Sequence, residues 1–144
     1  MNTWLKLIGC SKKPITGEPY CGCYKLKYVG FRKESKPGIR TGDYLFLYAS
    51  GGSKQIFALA EATSEPKRND NYNPDEQGSC RWNLNVKYLI NLPVDSGIHI
   101  DEISTDQRDL TASIQRQSHI SLHPEESSLA FTKLQEKSLT QSQI

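Results

Sequence analysis

The 144-residue chain is long enough for one domain with one core, and its charged fraction of 24% is ordinary. Apolar residues come in short bursts along most of the length, which argues against wholesale disorder; no apolar stretch approaches the roughly 20 residues that span a bilayer. Net charge is only +2, yet residues 1–40 carry nine Lys or Arg against two acids while the remainder carries nine against fourteen. A basic N-terminal third on a near-neutral domain is what a local polyanion contact needs, and a solvated basic loop has the same composition.

Trp4–Ile8 reads as a first strand. It is too short for a signal-peptide core and lacks a cleavage pattern, so a soluble, cytoplasmic protein is expected, with no membrane partner. Residues 9–40 are loop-rich, with Gly, Pro and the aromatics Tyr20, Tyr24, Tyr28 and Phe31 among the basic residues. A hairpin follows over 43–63. In "GDYLFLYASGGSKQIFALAEATSEP" two apolar runs, Tyr44–Ala49 and Ile56–Ala60, flank Gly51-Gly52-Ser53, which can supply the positive backbone angles of a turn. Such near-continuous apolar runs suit strands covered on both faces, as in a closed barrel.

"KRNDNYNPDEQGSC" has little apolar content and strong turn chemistry, and predicts an exposed loop. "RWNLNVKYLINLP" alternates, placing Trp82, Leu84, Val86 and Tyr88 on one face of a strand. "SGIHIDEIS" reads as a short strand or turn and "QSHISLHP" as another short strand. Pro124 then suits a first helical position, with Glu125 and Glu126 at the positive end of the helix dipole. Leu129, Ala130, Lys133 and Leu134 share a face of this helix, which is expected to end near Lys137 and leave residues 138–144 as a polar tail on a domain of residues 1–137. The order predicts an α+β fold, a small mixed β-barrel with flanking helices and a C-terminal helix.

Four cysteines allow a metal reading, with Cys10, Cys21, Cys23 and Cys80, or three of them with His119 or His123, as ligands. Their spacing is not the paired C-x-x-C pattern of a zinc ribbon. His119 and His123 lie on a strand running into a helix, not on one helical face. No metal or cofactor is expected, and cytosolic thiols are reduced by default.

The set "GDYLFLYASGGSKQIFALAEATSEP", "RWNLNVKYLINLPV", "IHIDEI" and "RQSHISLHPEESSLAFTKL" resembles the EVE domain and its relative the YTH domain, both of the PUA-like superfamily. The resemblance spans roughly residues 3–137. It implies a barrel whose mouth holds a flipped, modified nucleobase: EVE domains are associated with modified DNA bases in prokaryotic restriction systems, and YTH domains with N6-methyladenine in RNA. The implied partner is DNA or RNA carrying a modified base, with a nuclease or motor protein acting downstream. By the same resemblance the first cage aromatic falls on Tyr24, or Tyr20, and the second on Tyr72 or Trp82. Ser11 is the implied base-edge contact, Tyr48 to Ser50 the implied pocket floor, and Arg116 a phosphate contact. Lys12, Lys13, Lys25 and Lys27 of the basic third are candidate phosphate contacts beside it.

Each has a structural alternative. Tyr20 and Tyr24 suit a barrel end as packing residues, Trp82 begins an alternating strand and suits the core, and Tyr72 is an exposed loop aromatic or a lid. Two rival functions also fit. An ASCH-like small amidohydrolase acting on modified nucleosides would need a nucleophile or base with a partner, such as Lys6 or Lys27 with Glu61, which no spacing brings together. A protein-interaction module would leave the barrel pocket empty. A non-enzymatic reader of a modified base is the reading that the resemblance favours.

Overall fold

Alternation in the first strand sets the plan of the molecule. In the computed structural model, which describes residues 2–8, 28–31, 34–49, 55–73, 75, 80–92, 96–105, 109–114 and 119–142, β1 (Thr3–Ile8) sends Leu5 to one face of the sheet and Trp4 and Lys6 to the other. β1 runs parallel to β3 (Tyr44–Ala49), with Lys6 opposite Leu47 and Ile8 opposite Ala49. On its other side it meets β8 (His119–Ser121) antiparallel, with Lys6 opposite His119. From β3 the sheet continues through β4 (Gln55–Ala62) and β6 (Trp82–Asn91) to β2 (Tyr28–Phe31), giving the order β2-β6-β4-β3-β1-β8. Short β5 (Lys67–Arg68) pairs with β6, and β7 (Ile98–His99) with β4, completing eight strands among the described residues.

The sheet curls because two ladders carry an extra residue. Leu47 faces Ala58 while Tyr48 faces Ile56, leaving Phe57 over; Leu59 faces Ile90 while Ala60 faces Tyr88, leaving Leu89 over. Each bulge bends its strand and sharpens the local twist. The concave side becomes a half-barrel lumen filled by Val29, Phe31, Leu45, Leu47, Phe57, Leu84 and Val86. The convex side carries a second core, Leu5, Phe46, Tyr48, Ile56 and Leu59, roofed by a 3-10 turn (Ile100–Ile103), α1 (Leu110–Ile114) and α2 (Pro124–Ser142). No helix is long and apolar enough to cross a membrane among the described residues.

Two local devices hold strands of the sheet together. Gly42 takes a φ of 93°, a left-handed conformation that suits glycine, and delivers Asp43 to the start of β3. The Asp43 carboxylate, 5% exposed, accepts hydrogen bonds from the Asn2 and Arg40 backbone N–H groups and from Trp4 Nε1, each at 3.0 Å. It thereby ties β1 to the approach of β3. At the other device, Gly97 packs so closely on β4 that a Cβ would sit 2.0 Å from the Ile56 carbonyl oxygen.

The expected hairpin, the alternating strand 82–91 and the short strand at 119–121 are present where the pattern placed them. The turn at Gly51-Gly52-Ser53 lies outside the described residues. Four differences stand out. β2 forms within the stretch read as loop, β5 at the head of the polar loop, α1 forms between short strands, and α2 runs on past Lys137 to Ser142. The first three are too short to show a period, and the last turns of α2 are polar, so no apolar stripe marks them.

Candidate functional site

The lumen closes on itself where the two ends of the strand order meet. Phe31, at the end of β2, packs edge-on against His119, at the start of β8, with ring centroids 5.1 Å apart. Trp4 of β1 also packs against the same imidazole, tilted, at 5.4 Å. Its indole is held in place by the Asp43 hydrogen bond, so the staple that joins β1 to β3 also sets this ring. Lys6 joins them through Phe31. Its ammonium sits 4.5 Å from the centre of the Phe31 ring and donates to the Leu7 carbonyl oxygen at 3.0 Å.

Lys6 is only 5% exposed. Burial lowers its pKa to about 8, opposed by the neighbouring Cys80 thiol, so at neutral pH the amine is still mostly protonated. Cys80 in turn packs against Gly30, where a Cβ would lie 2.3 Å from its Sγ. The glycine in "YVGF" therefore makes room for the sulfur beside the lysine. A charged donor, an indole, a phenyl ring and an imidazole thus line one stretch of the half-barrel, with Trp4 and its Asp43 bond toward the starts of β1 and β3 and Lys6 further along β1. Lys6 lies two residues before the end of β1, where Ile8 pairs with Ala49 at the end of β3, and opposite the first residue of β8. The chain enters or leaves the sheet at all three of these neighbouring ends.

Of the residues singled out in the sequence, Ser11, Lys12, Lys13, Tyr20, Tyr24, Lys25, Lys27, Ser50 and Arg116 lie outside the described residues. Tyr48 is 3% exposed and sits on the face of β3 away from Lys6, in the core beneath the helices. Burial, with the charge of Asp101 adding to it, pushes its phenol pKa up. Tyr72 and Trp82 lie by the start of β6, where Trp82 pairs with Phe31 and the Arg81 backbone N–H donates to the Phe31 carbonyl oxygen at 2.8 Å. Arg81 lies 5.7 Å from the centre of the Tyr72 ring and Arg68 5.9 Å from that of Trp82. Both arginines converge on Glu34: Arg81 grips both its oxygens at 3.0 and 3.1 Å, and Arg68 reaches it at 3.3 Å. The Arg81 hydrogen bond, foremost, holds the Glu34 carboxyl below its ordinary range. Trp82 is half-buried against the lumen core, as its alternation predicts, and donates from Nε1 to the Glu34 carbonyl oxygen at 3.0 Å.

Glu61 alternates to the face of β4 opposite Ala60 and Ala62, which line the lumen, so Lys6 and Glu61 do not converge. His123 stands before α2, its backbone N–H donating 2.8 Å to the buried Glu126, while His119 is on β8. The two histidines therefore belong to separate environments. Among the described residues no three His, Cys, Asp or Glu side chains form a metal-sized cluster. Sequence reasoning weighed Lys6 and His119 only for catalysis and metal binding and passed over Trp4 and Phe31. The available signal was a lysine in the same inward register as Trp4 on a strand whose alternate residue Leu5 is fully buried.

No protein-family model matches the chain, and no curated protein matches it in sequence. Solved structures do. The YTH domain-containing protein mmi1, in a complex with RNA, superposes with a TM-score of 0.65 at 14% identity, over 99% of this chain and 88% of its own. Human THYN1, in complex with 5-methylcytosine-containing DNA, gives 0.58 at 14% identity, over 95% and 98%. The YTH domain of Zygosaccharomyces rouxii MRB1, in complex with N6-methyladenosine RNA, gives 0.54 at 12% identity, over 90% and 85%. The fold is therefore of the EVE and YTH type, an α+β, PUA-like architecture, as the sequence resemblance implied.

Proposed function

We propose that this protein is a nucleic-acid-binding module that takes a modified base, flipped from its strand, into the end of the half-barrel. The observation that carries the reading is the near full-length likeness to two kinds of domain whose structures hold modified nucleic acid, N6-methyladenosine RNA in one case and 5-methylcytosine DNA in the other. The lumen's own chemistry fits it, since Trp4, Phe31, His119 and the Lys6 ammonium cluster there. A base taken from its stack loses a few kcal/mol, which ring faces and hydrogen bonds can restore. A methyl group is sensed by whether it fills a tight pocket.

In this reading Tyr24, or Tyr20, and Ser11 act on the base from the chain that leaves β1, and Ser50 from the chain that leaves β3. Arg116, with Lys12, Lys13, Lys25 and Lys27, acts on the phosphates. Tyr72 serves as a lid from the β5–β6 end. The setting proposed is the reading of marks on DNA or RNA, in a prokaryotic restriction or RNA-modification pathway, with the protein acting as a reader and not as an enzyme.

The test is a titration of the wild type against paired oligonucleotides that differ only in carrying N6-methyladenine, 5-methylcytosine or 5-hydroxymethylcytosine. At least one modified strand binds more tightly than its plain twin. Removing the Tyr24 ring costs roughly 1–3 kcal/mol of that binding, the value of one stacked base. A wild type that binds every modified strand no better than its plain counterpart ends the proposal for those marks.

A further inference from the structure

We infer that Arg68 and Arg81 form a clamp for a backbone phosphate beside the lumen, and that the Glu34 carboxylate is the chain's own stand-in for that phosphate, displaced when nucleic acid binds. The inference rests on the proposed reader function and goes beyond it by assigning a contact for the strand's backbone and a built-in competitor for that contact. The geometry comes first. Arg81 donates from Nε and Nη2 to the two Glu34 oxygens at 3.0 and 3.1 Å, the side-by-side fork that fits a carboxylate and a phosphate alike. Arg68 Nη2 adds a third donor, to Glu34 Oε1 at 3.3 Å. Two guanidinium groups thus converge on one pair of anionic oxygens.

Both arginines are held by more than that acid. Arg81 Nη1 donates to the Asn69 carbonyl oxygen at 3.1 Å, and its guanidinium lies against the Tyr72 ring. Arg68 lies against the Trp82 ring and pairs with Asp70 at 3.4 Å. The Arg81 side chain is 17% exposed, whereas that of Glu34 is 68% exposed. The cations are therefore fixed on the protein, and the carboxylate is the solvent-facing member of the group. Trp82 Nε1 donates to the Glu34 carbonyl oxygen at 3.0 Å, so the backbone of residue 34 stays anchored when its side chain swings out. Exposed ion pairs are weak, and a phosphate offers the same two forks an anion with more oxygens. The place agrees with the role. Trp82 pairs with Phe31 across the β2–β6 ladder, the Arg81 backbone N–H donates to the Phe31 carbonyl oxygen, and the Phe31 ring packs on His119 in the lumen. A strand that sends a base into the lumen therefore carries its backbone past these arginines. A purely structural ion-pair cluster uses the same contacts but gains nothing from losing Glu34.

The experiment titrates the wild type, Glu34→Gln, Arg68→Gln, Arg81→Gln and the double variants of Glu34→Gln with each arginine change. The probes are a single-stranded DNA oligonucleotide carrying one 5-methylcytosine and its plain twin, over a salt series. Melting curves confirm that each variant is folded; Arg68, with a side chain 47% exposed, carries the test if Arg81→Gln does not fold. Glu34→Gln should bind both strands several-fold more tightly, because the competitor has gone. Each arginine variant should bind about tenfold more weakly, the loss of one charge-assisted hydrogen bond, and its slope of log affinity against log salt should fall by about 0.7 for each lost phosphate contact. In the double variants the gain from Glu34→Gln should disappear. A gain that persists without the arginines means that Glu34 merely repels the strand, and it overturns the inference. Replacing the phosphodiester linkages one at a time by neutral methylphosphonate should reveal a linkage that matters to the wild type and not to Arg81→Gln. If no linkage does, and inorganic phosphate at matched ionic strength displaces the strand instead, the clamp takes free phosphate and the inference fails. Arginine variants that bind as the wild type does overturn it and leave the reader function standing. Clamp responses without any preference between the twin strands support the clamp and count against the reader function for that mark. A wild type that binds neither strand brings down both.

Discussion

Asp43 offers the sharpest test of how the site is held. Its carboxylate is buried, which by itself would raise its pKa, but donors from Asn2, Arg40 and Trp4 outweigh burial and hold it below the ordinary range. Hydrogen bonds to a charged partner contribute about 1.5–3 kcal/mol each. Asn2 and Arg40 are exposed and can recover water if the carboxylate goes, and the three bonds share one acceptor group, so the sum is not additive. Asp43→Ala should therefore cost about 2–4 kcal/mol, a large share of the 5–15 kcal/mol that stabilises a typical domain. Asp43→Asn keeps one acceptor oxygen for either Asn2 or the Trp4 and Arg40 pair, and should cost about 1–2 kcal/mol. Urea titrations of the three proteins at several pH values measure this. Because the native pKa is depressed, the carboxylate's contribution is fully present above its unfolded value near ~3.9 and is lost as pH falls through the native value. Other carboxylates titrate in wild type and Asp43→Asn alike, so the gap between the two should be widest at neutral pH and narrow in acid. Equal stability at pH 7, or a gap that does not change with pH, refutes the assignment of Asp43 as the staple between β1 and β3.

Gly97→Ala should lower stability by about 1–3 kcal/mol in thermal melts, because the new Cβ meets the Ile56 carbonyl oxygen and β7 must move off β4. Trp82→Ala removes a half-buried ring and its hydrogen bond to the Glu34 carbonyl and should cost about 2–4 kcal/mol, whereas Tyr72→Ala, which loses a ring lying over Arg81 near the surface, should cost less than about 1 kcal/mol; equal losses in urea titrations would contradict that division. If Lys12, Lys13, Lys25 and Lys27 contact phosphates, oligonucleotide affinity should fall steeply between low and physiological salt, and a flat profile removes them from the interface.

The strands that could be read from sequence are those whose apolar pattern is long enough to show a period. Tyr44–Ala49, Gln55–Ala62 and Trp82–Asn91 carry six to ten residues of consistent pattern, and each is a strand. Tyr28–Phe31 has four residues, one of them glycine, and sits amid basic loop composition, so nothing local marks it. Its strand character comes from the partner, since Val29 and Phe31 pair with Leu84 and Trp82 across the β2–β6 ladder. The bulges were equally invisible, because a register slip depends on which residues of two distant strands meet. At the site, Trp82 followed its alternation onto the lumen face. Tyr48 went the other way because parity on β3 is set by Leu45 and Leu47, which fill the lumen, and so sends its ring beneath the helices.

That same parity explains why the lysine became part of the site. On β1, Leu5 is committed to the convex core, so its neighbours Trp4 and Lys6 face the lumen whatever their polarity. A one-residue slip would turn Leu5 and Leu7 into the lumen and send Trp4, Lys6 and Ile8 beneath the helices, but the parallel ladder with β3 and the Asp43 bond to Trp4 both oppose it. The register therefore forces a cation into an apolar space. A sequence that needed only a stable barrel would place methionine or leucine at position 6, since replacing a buried charge by an apolar side chain of similar volume is often neutral or stabilising. Lys6→Met should accordingly melt at the same temperature as the wild type or higher. A melting point several degrees lower would mean that the ammonium supports the lumen through Phe31 and the Leu7 carbonyl, and its role would then be structural.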